Sequence, residues 1–281
     1  ASATRRWLQK VLRNGCSQLR LQPFCSIIKV PPKMKTIEMN YTPIQLKSQV
    51  DMERIIEIND SVYTFNCKEV SMLLTRVIAE RALEQAYKSN PGPWADHARY
   101  VALACQNIAS RCPHLDVDDA YIYGILHDIG RHAGVSSERH LIDGYRYCME
   151  RGWEKAAQIC ISHAFMIPDI ETSIGVFDMP DEDKAFMAQF IKDAVYDDYD
   201  RLVQLCDALA LPTGFCLLEK RFVDVAIRYG THPATIDRWK AVLEIKEHFE
   251  KIMGRSIYDC LPGVIENSFE KRRKNEYELQ R

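Results

Sequence analysis

Helical periodicity governs this chain. From about residue 50 onward apolar side chains recur at i, i+3 and i+4, and the period-two alternation of half-buried strands is nearly absent. The predicted helices are short and sharply punctuated. Val70 to Ala86 stops at Asn90-Pro91-Gly92-Pro93, and Trp94 to Ile108 closes at Arg111-Cys112-Pro113. Asp116 to Asp119 supplies carboxylates for the start of a third helix, which runs through Ile122, Ile125 and Leu126 and ends near Gly130. Ser136-Ser137-Glu138 opens a fourth that Gly152 breaks, and Trp153 to Ala164 makes a fifth. Pro168, Gly175 and Pro180 interrupt residues 166–180, which read as a loop or lid. Helices resume over 181–194, 199–211, 215–229 and 235–253. The expectation is an all-α bundle: a basic N-terminal extension over 1–44, one helical domain over 45–265 and a charged tail over 266–281.

Composition narrows the function classes. At 47% hydrophobic residues the chain buries a sizeable core, which excludes global disorder. The net charge of −2 hides an asymmetry: eight of the 37 basic residues fall in 1–37, which holds no acid, leaving 29 against 39 acids thereafter. An acidic globular part is a poor general binder of phosphate backbones, so no nucleic-acid partner is expected. Residues 1–37 have the composition of an organellar transit peptide. The simpler account is an added or mis-assigned stretch, Met34 offering another start, on a cytoplasmic protein. Ten cysteines include no CxxC pair, and Cys105, Cys148, Cys160, Cys206 and Cys216 sit inside apolar helical patterns, as reduced buried thiols do. No apolar run reaches the ~18–20 residues of a membrane span.

Four ionisable placements stand out. His97, the His127-Asp128 pair, His163 and Asp207 each lie among residues that belong in a core, and burial without partners costs several kcal/mol. A lone core histidine is usually just hydrogen-bonded. Four such placements on separate helices suit a divalent metal, because imidazoles and carboxylates together are its ligands. Neighbours on a helix diverge by about 100°, so His127 and Asp128 converge on one ion only where the helix ends, with Gly130 letting the chain turn.

Leu126-His127-Asp128-Ile129-Gly130-Arg131 resembles the signature of HD-domain phosphohydrolases of the HDIG branch, and the order His97, His127-Asp128, His140, His163, Asp207 is similar to that branch's pattern over roughly residues 70–211. The resemblance implies an HD-domain helical bundle with a metal-binding cleft. His97, His127, Asp128 and Asp207 would hold a first metal, and Asp128 would bridge to a second held by His140 and His163. Without His140 the site is mononuclear. Arg131 stands where the family usually has Lys, and offers a planar fork to a phosphate in place of a point charge.

The implied reaction is attack of metal-activated water on a phosphate ester or anhydride, with Asp128 and Arg131 as catalytic groups and Arg131 and His132 binding the substrate. One or two divalent ions, among Mn, Fe, Ni, Co, Zn and Mg, serve. Residues 166–180 follow His163 and would cover the substrate; their acids (Asp169, Glu171 and Asp178, with Asp181 to Asp183 beyond) favour a small nucleotide-like phosphate over a long polyanion. A di-iron oxygenase of the same ligand set and a non-catalytic signalling module are the rival classes. His114, His232 and His248 are read as surface residues, as are Asp96 and Asp143. Oligomeric state is open.

Overall fold

The computed structural model describes residues 74–269 together with four short strands further toward the N-terminus. The chain divides into two compact units, 1–73 and 74–281. In the first, strand β1 (Ser26–Ile28) pairs antiparallel with β2 (Ile37–Met39), and β3 (Arg54–Ile58) with β4 (Ser61–Phe65). The second pair departs from the helical reading of residues 50 onward. In the sequence Ile55, Ile56 and Ile58 are followed by Val62, Tyr63 and Phe65 with Asn59-Asp60 between the strands, and β-rich runs divided by two turn-forming residues carry hairpin chemistry. The rest of the basic segment and the tail beyond 269 lie outside the described residues.

The second unit is all-α apart from a two-residue ladder. Its elements are α1 (Arg76–Ser89), α2 (Trp94–Ala109), α3 (Val117–Leu126), a 3₁₀ turn (Ile129–Ala133), α4 (Arg139–Met149), α5 (Glu154–Ser162), α6 (Asp181–Asp193) and α7 (Asp198–Leu209). Strands β5 (Ala210–Leu211) and β6 (Gly214–Phe215) follow, then α8 (Leu218–Tyr229), α9 (Thr235–Met253) and α10 (Val264–Phe269). The starts are capped as the composition predicts: Asp116 accepts from the backbone of Asp118 and Asp119, and Asp197 closes a capping box with Asp200. The predicted start at 215 is displaced to Leu218 because Gly214–Phe215 turns back against Ala210–Leu211.

Small residues let the central helices approach closely. α2 buries Ala95, Ala98, Ala102, Ala104 and Ala109, and a Cβ added to Gly124 of α3 would sit 2.7 Å from the Cα of Ala102. One core cluster joins α2 to α7 and α9 through Val101, Ile108, Leu205 and Phe249. A second packs α1, α2, α3 and α5, and a third joins α4, α5 and α6 through Leu141, Ile161 and Met187. Cys105, Cys148, Cys160, Cys206 and Cys216 are buried and free. Among the described residues no helix is long and apolar enough to cross a membrane.

Two buried polar clusters lock α5 to α7. Asp200, fully buried, accepts from Lys155 Nζ at 2.5 Å, Gln158 and Ser162 Oγ at 2.6 Å. Gln204 donates to the carbonyls of Ser162 (2.8 Å) and Phe165 (3.2 Å). Those bonds fix the end of α5, where His163 sits, against the helix that carries Asp207.

Candidate metal centre

Five buried side chains from α2, the α3 terminus, α4 and the α5 terminus converge: His97, His127, Asp128, His140 and His163. Asp207 of α7 joins them, with a quarter of its side chain facing the cleft. His97 Nε2 lies 2.9 Å from Asp207 Oδ1, and His127 Nε2 is 3.9 Å from the same oxygen and 3.8 Å from Asp128 Oδ2. The other carboxylate oxygen, Asp128 Oδ1, lies 3.1 Å from His140 Nε2 and 3.8 Å from His163 Nε2. Asp128 therefore stands between two groups, one with His97 and His127, the other with His140 and His163. The six residues proposed from the sequence as ligands all lie in this one region.

The backbone makes the convergence of 127 and 128 possible. His127 keeps helical dihedrals, but Asp128 leaves them (φ −104°, ψ 15°), where α3 gives way to the 3₁₀ turn. Gly130 serves differently from the role its sequence position suggests. It does not have the positive φ that a left-handed turn demands; instead a Cβ there would lie 1.9 Å from the His140 carbonyl oxygen and 2.3 Å from the Gly144 nitrogen. Only two bare glycines allow the turn to lie flat on α4, and that contact brings His140 to Asp128.

The rings are pre-aimed. His127 Nδ1 is 2.7 Å from the Gly124 carbonyl, His163 Nδ1 is 3.0 Å from that of Ile159, and His140 Nδ1 bonds to that of Ser137. A carbonyl only accepts, so each Nδ1 carries a proton and each Nε2 is the atom aimed at the centre, a lone pair wherever the ring is neutral. Burial, then the neighbouring imidazole of His127, pushes the His163 pKa down to about 4, and burial lowers that of His127. Both rings are thus neutral at pH 7. Burial acts to raise the Asp128 pKa, but the Arg131 guanidinium foremost outweighs it and holds the carboxyl well below its usual range. Asp207 is lowered likewise, its burial overcome by the hydrogen bond from His97.

Among the described residues, two fully buried atoms of the cluster have no hydrogen-bond partner: His127 Nε2 and Asp128 Oδ1. An orphaned lone pair and an orphaned carboxylate oxygen at such depth each carry a desolvation cost that a cation removes. The donor set, neutral imidazoles with ionised carboxylates, fits a divalent metal.

Arg131 donates Nε to Asp128 Oδ2 at 2.7 Å and sets Nη2 3.3 Å from His140 Nε2. It lines a cleft of about 460 Å³ over the centre, within the range of small-molecule sites. His132 is not brought to that cleft. It lines a separate concavity with Asp143 and Arg146, its ring 5.0 Å from that of Tyr147. His114 and His248 both bond to Asp198 at the surface, His232 accepts from the Ala234 amide, and Asp96 pairs with Arg99.

The 166–180 segment forms one wall of the cleft through Ile174 and Gly175. It is stitched to the approach of α4: Asp178 accepts from the amides of Ser137 and Arg139, both at 2.8 Å, and the Glu138 amide donates to the Val176 carbonyl. Its acids are occupied elsewhere. Asp169 caps a 3₁₀ turn and Asp183 pairs with Arg146, and none of the six acids over 169–183 lines the cleft. Cations do: Arg131, Arg221, Arg228 and Arg238, alongside Glu138, whose Oε2 is buried with no partner among the described residues. Nothing in the sequence singled out Arg221, Arg238 or Glu138, because each reads as an ordinary solvated position on its helix.

No match was found among curated proteins or among solved structures. The family model of the HDOD domain, an HD-like domain, matches residues 51–159, which are similar to it over that stretch.

Proposed function

We propose that this protein is an HD-type metal-dependent phosphohydrolase of the HDIG kind, cleaving a phosphate ester or anhydride of a small nucleotide-like molecule. The observation that carries the reading is the pair of buried, unpartnered ligand atoms, His127 Nε2 and Asp128 Oδ1, ringed by three further imidazoles. His97, His127, Asp128 and Asp207 would hold one divalent ion, and Asp128, His140 and His163 a second. A divalent ion in such a place acidifies water for attack and offsets phosphoryl charge. The chain's own groups supply orientation. Asp128 stays ionised and would serve both groups of ligands rather than act as a proton donor. Arg131 holds that carboxylate by one edge and offers its remaining N–H groups to a phosphoryl oxygen. The 174–176 segment, tied to Glu138, limits water on one side.

The test is elemental analysis of chelator-free protein, wild type against His127→Ala, Asp128→Ala and His140→Ala, paired with phosphate release over a nucleotide panel. Two metals per chain, with one lost in His140→Ala and activity falling alongside, is the expected result. One metal, unchanged in His140→Ala, reduces the site to His97, His127, Asp128 and Asp207. No metal under any loading condition overturns the reading. The HDOD match favours a second reading, a non-catalytic signalling module, since such domains often lack activity. Bound metal with no turnover of any phosphate would select it.

A further inference from the structure

We propose that Arg221 and Arg238 form an anion subsite in the metal cleft, which takes a second phosphate or a carboxylate of the substrate apart from the phosphoryl group under attack. The proposal rests on the hydrolase reading only for what occupies the metal side.

Both guanidinium groups line the same cleft as His97, Asp128 and Asp207. Arg238, from α9, uses a single nitrogen structurally: Nη1 donates to the carbonyls of Ala164 (3.1 Å) and Thr172 (3.0 Å). Among the described residues its Nε and Nη2 find no protein acceptor, and no carboxylate lies within ion-pair distance. Burial pushes its pKa down, with Glu138 and Asp207 pulling the other way from longer range. A partly buried cation held by neutral carbonyls, with acids acting on it only from beyond ion-pair distance, is stabilised when an anion arrives. Arg221, from α8, has only a loose contact, 3.7 Å from Asp224, and Asp224 is already bound by Arg228 at 2.8 Å.

The two arginines are held in register by their neighbours. Phe222 and Trp239, each the next residue in sequence, stack with centroids 5.2 Å apart and planes 8° from parallel, fastening α8 to α9. A pair of planar forks fixed on adjoining helices is the arrangement that recognises phosphate or carboxylate bidentately. The metal groups and Arg131 account for one phosphoryl group, so these two donors call for another charge on the same molecule.

The experiment uses the full chain loaded with Mn²⁺, as wild type, Arg221→Gln and Arg238→Lys. kcat/KM is measured for adenosine triphosphate, for 3-phosphoglycerate and for p-nitrophenyl phosphate, which carries no second anion. The ratio of a two-anion substrate to p-nitrophenyl phosphate should fall about tenfold in each variant, mainly through KM, as loss of one charge-assisted hydrogen bond predicts. The triphosphate and phosphoglycerate arms separate phosphate from carboxylate. An unchanged ratio, with both substrates unaffected or both falling in parallel, overturns the subsite. Binding of β,γ-methylene-ATP and of phenylphosphonate is titrated alongside. Preference for the former in wild type, lost in the variants, upholds the subsite even without turnover, in which case the hydrolase reading alone fails. If Arg238→Lys melts early because the 164–172 tether loosens, Arg221→Gln, which breaks no tether, decides.

Discussion

Gly130→Ala sets two physical effects against each other. On backbone propensity alone the substitution stabilises, because Gly130 does not need a positive φ and alanine gains up to ~1 kcal/mol over glycine in a helical turn. Packing predicts the reverse. The new Cβ would stand 1.9 Å from the His140 carbonyl oxygen, and carbon–oxygen contacts close no nearer than about 3.3 Å, so the turn and α4 must part by roughly 1.4 Å. The Gly144 backbone, 2.3 Å away, blocks a sideways escape. Overpacking against rigid backbone costs about 3 kcal/mol, the upper end of its usual range, which in a unit of this size lowers Tm by roughly 6–12 °C. The same displacement pulls His140 from Asp128, now 3.1 Å apart, so the second metal should go first. Thermal denaturation with and without Mn²⁺, read beside metal stoichiometry, is the assay. A Tm at or above wild type with two metals retained would refute the close-approach argument.

Further outcomes follow from the same geometry. Arg131→Met removes the cation paired with buried Asp128 and should cost about 2–3 kcal/mol in chelator, moderated because 29% of Arg131 is exposed; saturating Mn²⁺ should recover most of it, and an equal Tm loss in both conditions would sink the idea. The metal-free protein should lose stability as pH falls from about 6.5 toward 4: His127 and His163 have depressed pKa values when folded, so the unfolded chain binds more protons, at up to about 1.4 kcal/mol per pH unit for each. Urea titrations at a series of pH values measure this, and His163→Gln should flatten the slope; identical slopes would count against a neutral buried ring. Asp128 and Asp207, whose pKa values are lowered, contribute stability that is lost only at still lower pH, below the ordinary carboxylate range. Asp200→Asn strips the charge from a site bonded to Lys155 and Ser162 and should cost about 3 kcal/mol in denaturant, and a change within error would deny that the cluster locks α5 to α7.

The helices and the clustered imidazoles and carboxylates were legible because each leaves a one-dimensional trace. An amphipathic period survives in the letters, and an imidazole such as His163 after Gln158-Ile159-Cys160-Ile161-Ser162 violates it. The hairpin Arg54–Ile58 with Ser61–Phe65 was missed because its strands are short and its alternation is blurred by consecutive isoleucines at 55 and 56. Gly130 was noticed for the wrong cause: sequence suggests conformational freedom, whereas what it supplies is the absence of a side chain against residues ten and fourteen positions away. The acidity of the 166–180 region misled in the same manner, since Asp169 and Asp178 are consumed by backbone amides while the cleft draws its charge from Arg221 and Arg238. Those arginines obey the helical pattern and violate nothing, so only tertiary placement reveals them.

The carbonyls that receive the three Nδ1 protons lie three, three and four residues behind His127, His140 and His163, within one turn of the same stretch of chain. Each ring therefore takes its bearing from the chain just before it, without help from a neighbouring carboxylate at Nδ1. The division of labour that results is modular. The imidazole half of the cleft largely steers itself, and the half built by α8 and α9 reaches it at two points: Arg238 bonds the carbonyl next to His163, and Arg221 helps keep Asp207 ionised. For anyone redesigning specificity, positions on α8 and α9 that spare Arg221, Arg238 and the Phe222–Trp239 stack are the ones to change.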